Sequence, residues 1–551
     1  MHFLRPILAA ALLATAAVCP AQTPARPKLV VGIVVDQMRY DFLYRYQAHY
    51  GAGGFRRLLR EGFSCEQTRY NYVPTYTGPG HAAIYTGTTP AVNGVIANDW
   101  WDPEWRKNRY VTADPRYRTV GGTAGKVGQH SPSVMLSTAV TDELRLSNNF
   151  RSKVVGVCLK DRGSILPAGH IPNAAYWFDD DTGNWITSTY YPDSLALPQW
   201  VQQFNARRVP DAYLSKTWEK VEAGEYRESF ADWRQYKEVT YGNVGTDFPH
   251  DLPGLKKSSN YGIIRFTPFG NSLTLDFALE AIERMQLGAD EDPDFLCLSF
   301  SSTDYCGHQF GLHSEETEDV YRRLDRDIER LLTFLDEKLG KNNTLVFLTA
   351  DHGAAETPAH LRNLRIPAGV FEESKLEAGL EQSVTAAFGM TGDFVRSVNN
   401  QQVWLNWEAI ADFDLDPLDL SATMADHLRK LPGVYDVWTR EELSLLPTEH
   451  PFGAILRRGI HPRRSGDLVF QLDPAWHADD SFFKKGGTTH GSSYAYDTHV
   501  PLLWYGWRIP KGESFAPVDI TDIAPTLSAM LRIMEPNGTT GKVIEAVMKR
   551  E

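Results

Sequence analysis

Cysteine is scarce in this chain, with five in 551 residues. That is too few for a disulfide-stapled scaffold, so the fold has to rest on a hydrophobic core. A composition of 42% hydrophobic and 23% charged residues is ordinary for such a core. Basic charge is also short: 56 Lys and Arg against 69 Asp and Glu leave a formal net charge of −13. An acidic balance of this size argues against a nucleic-acid-binding surface. It does not exclude an anionic small substrate, because a local cationic site can override the global field. Beyond the N-terminus no apolar run is long enough to span a bilayer, and internal repeats and low-complexity tracts are missing.

What the N-terminus does have is the pattern of an export signal over 1–21. Arg5 supplies a short positive region, an apolar run follows from Ile7 to Val18, and Cys19-Pro20-Ala21 offers a small-residue cleavage site. A buried N-terminal helix is the alternative, but the run is too short for a membrane span and lies at the extreme end of the chain. Val18 ahead of Cys19 disfavours a lipid anchor. The expected mature chain, a catalytic domain over 27–551, is therefore periplasmic or secreted, without stable membrane insertion and with a monomer as the working expectation. It keeps Cys65, Cys158, Cys297 and Cys306, whose pairing the sequence does not decide.

Apolar, β-branched runs recur along the chain. Leu29 to Val35 ends at Asp36, and similar runs cover Val154 to Leu159, Phe295 to Phe300, Thr344 to Ala350 and Val500 to Tyr505. Each reads as a buried parallel strand, the Val500 run being the last of the core. Helical patterns alternate with them. Between Ser314 and Gly340, apolar residues return every three or four positions, with Ser314 as N-cap and Gly340 as stop; Leu275 to Leu287 and the segment opening at Thr521 are others. Strand–helix alternation predicts an α/β fold with a mostly parallel central sheet flanked by helices. Two stretches, near 176–265 and 357–464, break the alternation and read as cap segments inserted over one face of the sheet.

The chemistry collects at strand ends. Asp36 follows the first strand, Asp304 and His308 follow the strand ending near Phe300, and Asp351-His352-Gly353 follows the next. His490 sits in a glycine-flanked loop, Gly486 to Gly491, ahead of the Val500 run. Open α/β sheets bind ligands at the carboxyl ends of their strands. Singly, a strand-end Asp is a turn former and a loop His is solvated. Together, mixed Asp and His side chains at one edge suit catalytic divalent zinc, and six of them suit two ions. Cys306, between Asp304 and His308, reads as a packed or free thiol, and His81 and His313 also lie close to these motifs. Upstream, Pro74-Thr75-Tyr76-Thr77-Gly78-Pro79-Gly80-His81 is a loop entering a helix. A hydroxyl on Thr77 would feel the positive end of the helix dipole, and a neighbouring cation would activate it as a nucleophile; the plain alternative is that Thr77 only caps the helix.

These motifs resemble the alkaline phosphatase superfamily, and most closely its bacterial phosphate monoesterases with a threonine nucleophile. The matching residues are Asp36, Tyr76 to His81, Asn98-Asp99-Trp100, Lys160-Asp161-Arg162, Asp304 to His308, Ala350 to Gly353 and Thr489-His490-Gly491. The resemblance implies two Zn²⁺ per chain. Asp304, His308 and His490 would hold one, and Asp36, Asp351, His352 and Thr77 the other. It further implies that Asn98, Lys160 and Arg162 grip the phosphoryl oxygens, and that small phosphate monoesters are hydrolysed through a phosphothreonine. Arg162 can fork two oxygens while Lys160 supplies a point charge. That extra charge favours a monoester dianion over a diester.

The competing readings are a phosphodiesterase, nucleotide pyrophosphatase or phosphonate hydrolase on the same scaffold. A zinc-stabilised binding protein without catalysis is a third, but structural zinc needs neither nucleophile nor phosphate clamp. The tryptophans of the first insertion (Trp177, Trp185, Trp200, Trp218 and Trp233) are expected to fill a small core rather than wall the pocket.

Overall fold

Seven consecutive residues without a polar side chain form β1 (Leu29–Val35), and all seven are buried. Burial on both faces is what a central parallel strand requires. The computed structural model describes residues 26–192, 195–222, 226–228, 233–237, 246–447, 449–478 and 486–548, with the backbone alone at 233 and 234. The export signal expected over 1–21 and the side chain of Trp233 lie outside the described residues.

The chain continues through β2 (Phe63–Arg69), β3 (Asp99–Asp102), β4 (Lys107–Tyr110), β5 (Thr119–Val120), β6 (Val154–Cys158), β7 (Ala174–Asp179) and β8 (Asn184–Ser188). The short ladder of β9 (Thr217–Trp218) and β10 (His250–Asp251) precedes β11 (Asp294–Phe300) and β12 (Thr344–Thr349). Next come β13 (Gly369–Phe371), β14 (Val395–Asn399), β15 (Gln402–Leu405), β16 (Val434–Thr439), β17 (Leu468–Leu472), β18 (Trp476–Ala478), β19 (Leu502–Gly506) and β20 (Gly512–Asp519).

Ten of these strands form one sheet in the order β20-β2-β19-β12-β1-β11-β6-β7-β8-β5. The run from β12 through β7 is parallel, and helices flank it, as the alternation of strand and helix predicts. Val34 is level with Ser299 on β11 and Thr349 on β12. Three parallel strands therefore stop at one height, and the residues after each emerge at one edge. The long helix runs Glu315–Leu339; the Ser314 hydroxyl accepts from Thr317 N–H, and Gly340 ends the helix at φ 86°.

Three expectations need correction. The Val500 to Tyr505 run is neither parallel nor the last strand: β19 is antiparallel to β12 and β2, and β20 follows it. β20 is mostly exposed, so no apolar run marks it. The stretch near 176–265 does not begin over the face of the sheet, because β7 pairs in parallel with β6 and β8 with β7. All six residues of β7 are buried, but they include none of the Val, Ile or Leu that mark the other parallel strands as apolar runs. The second stretch extends past 464: a four-stranded antiparallel sheet, β14-β15-β17-β16, runs to Leu472 around its own core of Leu380, Phe394, Leu405, Met424 and Phe470.

Trp177, Trp185, Trp200 and Trp218 of the first stretch join the main core instead of filling a small core of their own. Trp177, Trp185 and Trp218 are buried; Trp185 stacks on Phe277, and Trp218 donates to Asp319. The four cysteines are buried free thiols.

Candidate active site

Asp36 leaves β1 fully buried, and Asp351 and His352 leave β12 in the same state. His352 Nε2 lies 3.6 Å from Asp36 Oδ1 and 3.6 Å from Asp351 Oδ2. None of these three atoms has a hydrogen-bond partner. Buried polar atoms are rarely left so. Zinc–ligand bonds of about 2.0–2.2 Å in a tetrahedron set neighbouring ligand atoms roughly 3.3–3.6 Å apart, so the trio fits a single small divalent cation.

The second group forms on the helix Ser302–Phe310, which follows β11. Asp304 Oδ1 meets His308 Nε2 at 3.1 Å and His490 Nε2 at 3.7 Å. The rings of His352 and His490 stack with centroids 3.4 Å apart. Two sets thus offer ligand atoms within 4.8 Å of one another: Asp36, Asp351 and His352, and Asp304, His352 and His490. His352 belongs to both, and His308 joins the second through Asp304.

Each imidazole is aimed by a main-chain carbonyl. Nδ1 of His308 meets Thr488 O at 2.8 Å, that of His490 meets Thr75 O at 2.8 Å, and that of His352 meets Gly353 O at 2.9 Å. An N–H on Nδ1 leaves the Nε2 lone pair facing the acids. Burial holds His352 down to about 3 and His490 well below its usual range, so both stay neutral, the form that ligates metal. Burial, with Asp304 and Asp351 nearby, raises Asp36 well above the carboxylate range; burial lifts Asp351 to about 6. Burial would also raise Asp304, but His308 and Lys160 outweigh it and hold it low. Three carboxylates crowded in a buried pocket are a site for cations.

One cation is already there. Lys160 caps the helix Asp161–Ala168 after β6, and its ammonium lies 2.5 Å from Asp36 Oδ2 and 2.6 Å from Asp304 Oδ2. The clamp expected on a phosphoryl group is thus turned toward the acids. Arg162 donates to Tyr110 Oη at 2.8 Å, and Tyr110 donates to Asp161 at 2.9 Å, which fixes the guanidinium.

Thr77 is the first residue of the helix Thr77–Thr86, and the N-cap is Tyr76. The capping alternative therefore fails. Gly78 N–H donates to Asn98 Oδ1 at 2.8 Å, which leaves the Asn98 NH₂ for the cavity. Gly80 lets the helix touch the metal-type loop: a Cβ there would lie 2.3 Å from Asp351 O. His81 bonds Thr77 O and Ser299 Oγ, and its Nδ1 lies 3.5 Å from Asp351 Oδ2.

A cavity of about 300 Å³ joins Thr77, Asn98, Lys160, Arg162, Asp304 and His490. Its far wall comes from the later insertion, through Asn399, Asn400, Gln401 and Trp476. Asn399 and Asn400 donate to Asp99 Oδ1 and Asp99 O at 2.8 and 2.7 Å, and so tie that insertion to the residue beside Asn98. The cap expected near 357–464 supplies most of this wall, but no sequence pattern singled out these residues, nor Gln37, which donates from its main chain to Asp351 Oδ1 and from Nε2 to Asp304 Oδ1.

Residues 30–493 match the family model described as type I phosphodiesterase / nucleotide pyrophosphatase. With this sheet edge and these relatives, the chain belongs to the alkaline phosphatase superfamily and is PafA-like within it. Alkaline phosphatase PafA of Elizabethkingia meningoseptica is 43% identical over 526 residues, 95% of each chain. A Myroides odoratus protein named calcium-transporting ATPase is 44% identical over 537 residues, 97% of each. The crystal structure of PafA superposes with a TM-score of 0.90 at 42% identity, covering 96% of this chain and 100% of that one. A PafA variant substituted at a threonine, an asparagine, a lysine and an arginine superposes at 0.88, with 41% identity and coverage of 96% and 100%.

Proposed function

We propose that the chain is an exported alkaline phosphatase that binds two zinc ions and hydrolyses small phosphate monoesters through a phosphothreonine on Thr77. The observation that carries this reading is the convergence, on one cavity, of a hydroxyl at a helix start, two cationic side chains and two overlapping sets of metal-type ligands. The four residues substituted in the PafA variant are spaced along that chain as Thr77, Asn98, Lys160 and Arg162 are here, which supports the same roles.

Asp36, Asp351 and His352 would hold one zinc with Thr77, and Asp304, His308 and His490 the other. When bound, the ions supply positive charge that stabilises an ionised threonine and the departing oxygen. Thr77 Oγ attacks phosphorus in line, the new O–P bond forms as the ester O–P bond breaks, and the alcohol departs. Water then attacks the phosphothreonine, freeing orthophosphate and restoring the hydroxyl. Through both steps Arg162 and the Asn98 NH₂ grip the equatorial oxygens. Lys160 joins them once Asp36 and Asp304 are otherwise engaged. Phosphoryl transfer draws mostly on such positioning and charge neutralisation.

The name of the Myroides relative points to ion transport instead. No helix among the described residues is long and apolar enough to cross a membrane, and no feature of the cavity favours that reading over hydrolysis. Rates on p-nitrophenyl phosphate, bis(p-nitrophenyl) phosphate and p-nitrophenyl sulfate test the proposal. The monoester should lead by orders of magnitude, and acid quenching should trap phosphate on Thr77. Preference for the bis-ester, or full turnover by Thr77→Ala, would overturn it.

A further inference from the structure

Gln37 stands at φ 63° in the turn after β1, a conformation that side chains other than those of glycine and asparagine seldom adopt. Met38 N–H closes that turn on Val35 O at 3.2 Å. A glycine would fold it with less strain. Strain kept at a buried position points to work done by the side chain, and Gln37 is only 2% exposed.

Its contacts reach both ligand sets. The main-chain N–H donates to Asp351 Oδ1 at 3.1 Å, which leaves Oδ2 as the unpartnered oxygen aimed at His352. The side-chain Nε2 donates to Asp304 Oδ1 at 2.7 Å, the oxygen that His308 and His490 also face. The preceding residue is Asp36. One residue thus adjoins all three carboxylates in the two sets. The amide reaches Asp304 only because position 307 is glycine: a Cβ there would lie 1.9 Å from Gln37 Oε1. A neutral donor suits the place, since it orients acids without neutralising them as the Lys160 ammonium does.

We infer that Gln37 is a positioning residue that serves both cation sites. Its backbone orients Asp351 for one site and its side chain orients Asp304 for the other. The inference rests on the di-zinc reading above. It predicts that the two halves of Gln37 separate by substitution. Gln37→Gly keeps the N–H bond to Asp351 and relieves the positive φ, but loses the bond to Asp304. Gln37→Met fills the space and also lacks the donor.

The test is Zn²⁺ alone, titrated into chelator-stripped full-length protein against a competing chromophoric chelator, with thermal unfolding of the stripped protein alongside. In both variants one binding step should weaken about 10- to 100-fold, the usual scale for an outer contact to a ligand. The other step should hold. The stripped Gln37→Gly protein should melt no lower than the wild type. Unchanged binding at both steps in both variants, or equal weakening of both, overturns this division between backbone and side chain. Loss of melting temperature in stripped Gln37→Gly without loss of zinc affinity assigns the residue to folding alone and also overturns it. Failure of the wild-type protein to take up zinc defeats instead the di-zinc reading beneath it.

Discussion

Gly80→Ala is a one-carbon change that separates two demands on the Thr77–Thr86 helix. The added Cβ would meet Asp351 O at 2.3 Å, Asp351 Cβ at 2.8 Å and Asp351 C at 2.9 Å. Two of those atoms are backbone, so no side-chain rotation relieves the clash. Relief requires the helix and the loop after β12 to part by about 1 Å, and overpacking of this kind costs about 1–3 kcal/mol. The helix carries Thr77 on its first turn and the loop carries two of the proposed ligands, so the displacement separates the proposed nucleophile from the proposed cation site. A misplacement of about 1 Å can lower turnover by roughly 10²-fold. The assay is kcat/KM on p-nitrophenyl phosphate with zinc content and melting temperature measured on the same samples. A loss near 10²-fold with only a modest fall in melting temperature is expected. If Gly80→Ala keeps activity within about threefold of wild type while folding normally, the close approach does not set the geometry of the site and the reasoning is wrong.

Other consequences are open to measurement. Lys160→Ala should destabilise chelator-stripped protein by about 3–5 kcal/mol, because Asp36 and Asp304 lose their buried counter-ion; excess zinc should erase most of that difference, and an equal loss with and without zinc would contradict the placement of the ammonium. His313 lies between Glu228 and Glu356, 3.1 and 2.8 Å away. Burial and the nearby Arg45 guanidinium oppose its charge, but the two glutamates prevail and raise it to about 9. A raised folded-state pKa stabilises fully below the unfolded value near 6.5, and that stability is lost as pH rises through about 9, a change on the order of 3 kcal/mol. Urea unfolding across that window should therefore flatten in His313→Gln, and an unaltered slope would count against the ion pairs. Asn399→Ala removes the bond to Asp99 and should lower kcat/KM about two- to tenfold, read in steady-state kinetics; no change would mean the insertion does not help place Asn98.

The parts of the site that sequence made legible are those that sit at the ends of apolar runs. Asp36 and Asp351 follow strands whose every residue is buried, so the pattern ends where the chemistry begins. β2 and β20 escaped because Phe63–Arg69 and Gly512–Asp519 are mixed or exposed at the margin of the sheet. β7 escaped because Ala174–Asp179 contains none of the Val, Ile or Leu that mark the other parallel strands, though it is as buried as they are. Gln37 was invisible because its role depends on a positive φ and on partners 314 and 267 residues away. The residues of the cavity wall were not singled out either: Asn399 acts through Asp99, 300 residues upstream. Neither spacing leaves a periodic trace.

The three histidines that spend Nδ1 on the carbonyls of Thr75, Gly353 and Thr488 have a consequence for how this site tolerates change. A carbonyl belongs to the backbone, so replacing the side chain of Thr75 or Thr488 cannot delete the contact that aims the ring. Sequence drift around the ligands is thereby separated from their orientation. Damage should come instead from substitutions that shift a loop by a fraction of an ångström, which makes the glycines packed against those loops more sensitive positions than the polar residues beside them.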